Sequence, residues 1–191
     1  MALTKLNYTG QGTIPDSSLP TIPISKIPTI TGAKMPSNSI LQVKETTWIN
    51  KVTVSNATWT TTGHSVSITP FATSSKIYLS VHGGGAYNEN IINMQGDWTI
   101  YRSINGGTAT NIADAANSPL WSMYENTFFG HPHSFSTTNS PNTALPITYT
   151  VYMKTQANAT RHYTYNLNSR YHGGDAAKGA PVHFTAMEIK G

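Results

Sequence analysis

The chain contains no cysteine, so a disulfide framework and any thiolate metal site are excluded from the start. Charge is scarce: 12 Lys and Arg against 8 Asp and Glu in 191 residues, a formal net charge of +4. The sequence pI near 9.3 invites a nucleic-acid reading. The basic residues are scattered, however, with no run or stripe to track a phosphate backbone. No apolar run approaches the length of a membrane span, and residues 1–12 (MALTKLNYTGQG) lack the apolar core of a signal peptide. The sequons at Asn7, Asn56 and Asn158 therefore read as chance products of an Asn/Thr-rich chain. Nucleic acid and membrane insertion are not expected.

Large aliphatics are also few. Leu, Ile, Val and Phe number 36, just under a fifth of the chain, a level that signals disorder when net charge is high. Here the charge is low and aromatics reach 10%, so disorder is not expected. The polar mass is neutral instead: 28 Thr, 18 Ser and 16 Asn. Thr, Tyr, Ile and Trp suit pleated surfaces, while Asn, Ser and Gly supply turns. The composition points to an all-β protein.

Residues 13–36 form three octads, Thr13–Pro20, Thr21–Pro28 and Thr29–Pro36. Each opens on Thr-Ile, carries a small residue at position five and an aliphatic at seven, and closes on Pro. Proline lacks an N–H, fixes φ and pushes the preceding residue to extended geometry, which excludes a helix and a central strand. An extended run of this length spans roughly 75 Å. Ile14, Leu19, Ile22, Ile27, Ile30 and Met35 recur in alternating steps of five and three. A lone strand cannot bury that ladder, whereas a flexible linker favours polar residues. Residues 1–36 are therefore read as an attachment and oligomerisation segment, and 37–191 as a separate head domain.

The head alternates in short runs broken by turn signals. Expected strands are Ser39–Glu45, Lys51–Ser55, His64–Thr69, Lys76–His82, Trp98–Ser103, Thr110–Ala113, Ile147–Met153, His162–Asn168 and Val182–Lys190. Ile104-Asn105-Gly106-Gly107 is a strong hairpin turn, and Gly83–Gly85 reads as a bend or a close backbone approach. The expected fold is an antiparallel β-sandwich of about eight strands, jelly-roll-like.

Catalytic signals are thin. Asp97 with Asp114, or Asp175 with Glu188, are the carboxylate pairs that could meet in space, but no spacing requires it. No phosphate loop, nucleophile elbow or zincin helix is present, so neither enzyme activity nor a cofactor is expected. His131-Pro132-His133 is a weak metal candidate, because residues two apart on a strand share a face; its flanks read as loop. The stronger functional lead is aromatic. Trp121, Tyr124, Phe128, Phe129, His131, His133, Arg170 and Tyr171 lie in text read as loops rich in Asn, Ser and Gly, suited to glycan contact. The competing expectation for any one ring is packing in the core or a subunit interface.

Several segments resemble tail-fibre and related virion proteins of bacteriophages, especially of marine and cyanobacterial phages. They are the opening Met1-Ala-Leu-Thr-Lys-Leu-Asn7, Ser37-Asn-Ser-Ile-Leu-Gln-Val43, Ile68-Thr-Pro-Phe-Ala-Thr-Ser-Ser-Lys-Ile77, Trp98-Thr-Ile-Tyr-Arg102 and the closing Phe184-Thr-Ala-Met-Glu-Ile-Lys-Gly191. The resemblance implies a homotrimeric β-sandwich protein of the virion, attached to other virion proteins of tail or capsid through its N-terminal segment; together with the loop aromatics it leads to the expectation that head loops meet host surface glycans. It transfers no catalytic residue. A capsid or vertex decoration protein without receptor binding is the alternative.

Overall fold

A computed structural model describes residues 34–89, 94–113, 118–125, 130–155, 162–165 and 178–191. It contains eleven strands among these residues: β1 (Ile40–Asn50), β2 (Val52–Val54), β3 (Thr60–Ile68), β4 (Lys76–Glu89), β5 (Met94–Ile104), β6 (Thr110–Asn111), β7 (Trp121–Glu125), β8 (Gly130–Asn139), β9 (Ile147–Thr155), β10 (His162–Tyr165) and β11 (Lys178–Ile189). Every pairing is antiparallel.

Side-chain alternation dictates two faces per strand. Along β9, Ile147, Tyr149, Val151 and Met153 are fully buried while Thr148, Thr150, Tyr152 and Lys154 stay half-exposed. In β3, Thr62, His64, Val66 and Ile68 point inward and Ser67 outward. The first sheet runs β1-β11-β4, with β8 on the far side of β4 and the short β10-β2 pair extending from its end. The second runs β3-β9-β5, with β6 and β7 side by side along β5. Four strands per sheet, β1-β11-β4-β8 and β3-β9-β5-β7, with most connections crossing between sheets, make the double Greek key of a jelly roll. The all-β sandwich expected from composition is the observed fold.

Between the sheets, Trp98, Tyr149, Phe184, Ile77, Leu79, Ile100, Ile147 and Met153 are fully buried. Three large rings offset the shortage of aliphatics, since each aromatic buries 150–250 Å² in a typical core. The Asn105–Gly106 turn forms as expected: φ is 48° and 72°, and the Gly107 amide donates to the Ile104 carbonyl at 2.9 Å. Positive φ at both central residues matches the twist of the strands it joins.

Two strands depart from the sequence expectation. β8 occupies a stretch whose composition reads as loop, because Gly130–Asn139 places a single Phe among Ser, Thr, His and Pro132 and so shows no apolar alternation. Among the described strands it pairs only with β4, and an edge strand tolerates proline. β7 is five residues long, too short for its inward Met123 and partly buried Trp121 to announce a strand. The Gly83–Gly85 segment does not end β4. The β4–β8 register slips between Gly83 and Ala86, where one extra β4 residue faces Pro132. Gly83 and Gly84 take φ of 92° and 56° in this bulge, and β4 changes partner there from β11 to β10.

Candidate functional site

The head begins where the leader meets the C-terminal strand. Lys190 donates its Nζ hydrogen to the Met35 carbonyl, the Asn38 amide donates to the Lys190 carbonyl at 2.8 Å, and the Lys190 amide donates to Ser39 O at 2.9 Å. Met35 is thus fixed beside the start of β1. Ile14, Leu19, Ile22, Ile27 and Ile30 lie outside the described residues. Among the described strands β1 ends the first sheet, paired on one side with β11. It carries large apolar side chains in solvent: Ile40 is 55% exposed, Val43 51% and Ile49 43%. A long edge strand with exposed aliphatics is a template for association.

The aromatic candidates divide. Trp121 points inward, its ring centroid 4.7 Å from Trp98 and 6.1 Å from Phe135, so it packs the sandwich. It lies in β7 and not in a loop. Tyr124, three residues on and so on the opposite face, is 59% exposed on the same strand. His131 and His133 belong to β8, in register with Ala86 and Gly83. Among the described residues, no three His, Asp or Glu gather to hold a metal. Phe128, Phe129, Arg170 and Tyr171 lie outside the described residues, as do Asp114 and Asp175.

Glu188 and Glu45 are each engaged in hydrogen bonds around the first sheet. Glu188, fully buried, accepts from Gln42 Nε2 at 2.6 Å, the Phe71 amide at 2.8 Å and Ser75 Oγ at 2.6 Å, tying the loop before β4 to β11 and β1. Glu45, on the outer face of the first sheet, lies 3.2 Å from both His183 Nδ1 and the Thr185 hydroxyl. Hydrogen bonding to His183, then to Thr185, holds its carboxyl below the usual range. His183 in turn stacks on His82, centroids 5.3 Å apart. His64 is buried between Trp48 and Phe184. Burial is the main cause that lowers its pKa to about 4, so it is neutral at pH 7.

The outer face of the second sheet holds an arrangement the sequence did not disclose. Tyr101 of β5 and Tyr152 of β9 stack with centroids 4.1 Å apart and planes at 26°. Burial, reinforced by Tyr152, raises the Tyr101 phenol pKa. Beside them, Lys154 Nζ sits 4.5 Å over the Trp59 ring and 3.8 Å from Asp97 Oδ2. Asp97 Oδ1 also accepts from Ser122 Oγ at 2.7 Å and Gln95 Nε2 at 2.9 Å. Alternation along β9 already turned Tyr152 outward. Its neighbours follow from the β5–β9 and β5–β7 registers, which no local pattern encodes.

No protein-family model and no curated protein matches the chain. Among solved structures, it is similar to a chain in the structure of infectious bursal disease virus Gx strain, at 15% identity and a TM-score of 0.37, over 81% of this chain and 37% of that one. A chain from the Gt strain of the same virus is similar at 16% identity and a TM-score of 0.36, over 81% of this chain and 39% of that one. The chain thus spans under two fifths of the length of either.

Proposed function

We propose that the protein is a non-enzymatic structural component of a virus particle, a homotrimeric tail fibre or tail-associated appendage. Its N-terminal segment docks on other virion proteins, and its head meets host-surface glycans. The observation that carries this reading is the placement of the leader's root. The phased aliphatic–proline ladder enters the head at Met35, beside an edge strand that exposes Ile40 and Val43. Both features are surfaces that water alone does not satisfy, and both are covered when chains assemble. The jelly roll agrees, as an architecture used by viral capsid and lectin domains, although a fold by itself assigns no role. Several heads on one particle would turn weak sites into strong adhesion.

The same root favours a second reading, a capsid or vertex decoration clamped to the shell by residues 1–36. Imaging the intact particle with this chain labelled tests both. Copies in multiples of three on the tail are expected, and copies spread over the shell support decoration. Virions carrying a deletion of residues 1–36 separate the two further. A fibre loses host adsorption with the protein, whereas a decoration is lost with adsorption unchanged. A particle that lacks the chain altogether contradicts both.

A further inference from the structure

From the outer face of the second sheet we infer a binding site for a neutral hexose polysaccharide, lying across β5 and β9 on Tyr101, Tyr152, Trp59, Lys154 and Asp97. The inference deepens the host-contact reading and moves that contact from the loops to a sheet face.

Three observations carry it. First, the solvent-facing side of a sheet is stable with the Ser and Thr that fill the rest of this one, such as Ser67 and Thr148, whose hydroxyls meet at 2.9 Å. Rings are not needed there for folding, yet Tyr101 stacks on Tyr152, Trp59 lies under the Lys154 ammonium two residues along β9 from Tyr152, and exposed Tyr124 stands on the neighbouring β7. The Tyr pair uses one face of each ring for stacking, and both side chains stay half-exposed. Aromatic faces pack against the C–H faces of pyranose rings, while their polar tips keep hydrogen bonds with water or hydroxyls. Second, the polar groups are held in place before any ligand arrives. Asp97 is fixed by Lys154, Ser122 and Gln95, and Lys154 by Asp97 and Trp59. Preorganised groups lose little entropy on binding. Third, Lys154 and Asp97 neutralise each other, so the patch offers donors and acceptors without net charge. That selects uncharged sugars over acidic ones despite the basic pI.

The test is an array of neutral glucans, mannans and galactans alongside acidic polysaccharides, probed with the full chain. The Tyr101→Ala and Tyr152→Ala variants and a Ser67→Ala control from the far end of the same face are run beside it. Expected is binding to at least one neutral polysaccharide, unchanged by about 0.5 M NaCl because no charge attraction is involved. It should weaken about tenfold or more in each Tyr variant and stay unchanged in Ser67→Ala. Asp97→Asn, which keeps an acceptor for Ser122, should weaken binding with an unchanged circular dichroism spectrum and so separates loss of the site from loss of the fold. Binding only to acidic polysaccharides, no binding to any neutral one, or binding indifferent to the Tyr variants overturns the inference. So does a Tyr variant that changes the mass of the assembly, since the face is then an interface between copies. An assembled chain that binds no neutral sugar sinks this inference alone, and a sugar-binding monomer sinks the trimer reading alone.

Discussion

Gly83 and Pro181 meet backbone to backbone: a β-carbon on Gly83 would stand 2.5 Å from the Pro181 carbonyl oxygen. The contact lies at the bulge where β4 leaves β11 for β10, so the bend of the central strand depends on one missing side chain. Gly83 also has φ of 92°, which other residues adopt only under strain.

Gly83→Ala is therefore expected to destabilise the head by about 3 kcal/mol, from combined strain and overlap. Gly106→Ala is the informative contrast. Its φ is 72°, but a β-carbon there meets nothing within 4 Å, so only the backbone penalty of ~1 kcal/mol applies. Denaturant unfolding of both variants checks the difference.

Glu188→Ala leaves the Phe71 amide, the Gln42 amide and the Ser75 hydroxyl without their shared acceptor. The expected cost is about 3 kcal/mol, since removing one partner from a buried charged network exceeds the loss of a single bond. Amide exchange at Phe71 should accelerate in the same variant. An unchanged exchange rate there would show that the loop is held by something else.

His64 makes stability depend on pH. Its folded pKa is about 4 against an ordinary 6.5, so between these values the unfolded chain binds the proton and the folded one does not. Stability is full above about pH 6.5, falls as pH drops through that window, and is lost to the extent of roughly 3 kcal/mol below pH 4. Glu45 acts in the same direction: its lowered carboxyl stabilises the fold above its unfolded pKa and loses that effect as pH falls. Unfolding followed from pH 7.5 to 4 should show the slope, and His64→Gln should flatten it. A slope unchanged in that variant would assign the effect elsewhere.

The sandwich was readable in sequence where a long strand buries an alternating set of apolar side chains. Ile147–Met153 and Lys76–His82 alternate cleanly and lie within β9 and β4. β8 was not, because backbone pairing with β4 holds it and, among its described side chains, Phe135 alone is buried in the core. The order of strands was also beyond local pattern: β1 pairs with β11 across nearly the whole chain, Ile40 opposite Ile189. The candidate sites divide by the same logic. The leader's ladder is a repeat and declares itself, whereas the Tyr101–Tyr152 stack exists only once β5 and β9 are in register.

Assembly should depend on the exposed aliphatics. Val43→Lys, on the solvent face of an edge strand, should leave unfolding within about 0.5 kcal/mol of the parent, as surface substitutions do. Ile22→Asp combined with Ile27→Asp should likewise spare the head. Both should reduce the assembled fraction in sedimentation, the leader variant more strongly.

The account rests on this chain being a building block, and light scattering on the purified 191-residue chain tests that most directly. Three chains per particle in solution, a mass three times 20.7 kDa, is predicted, falling toward one chain when Ile22 and Ile27 become Asp. A parent protein that stays at the mass of one chain at every concentration would contradict it.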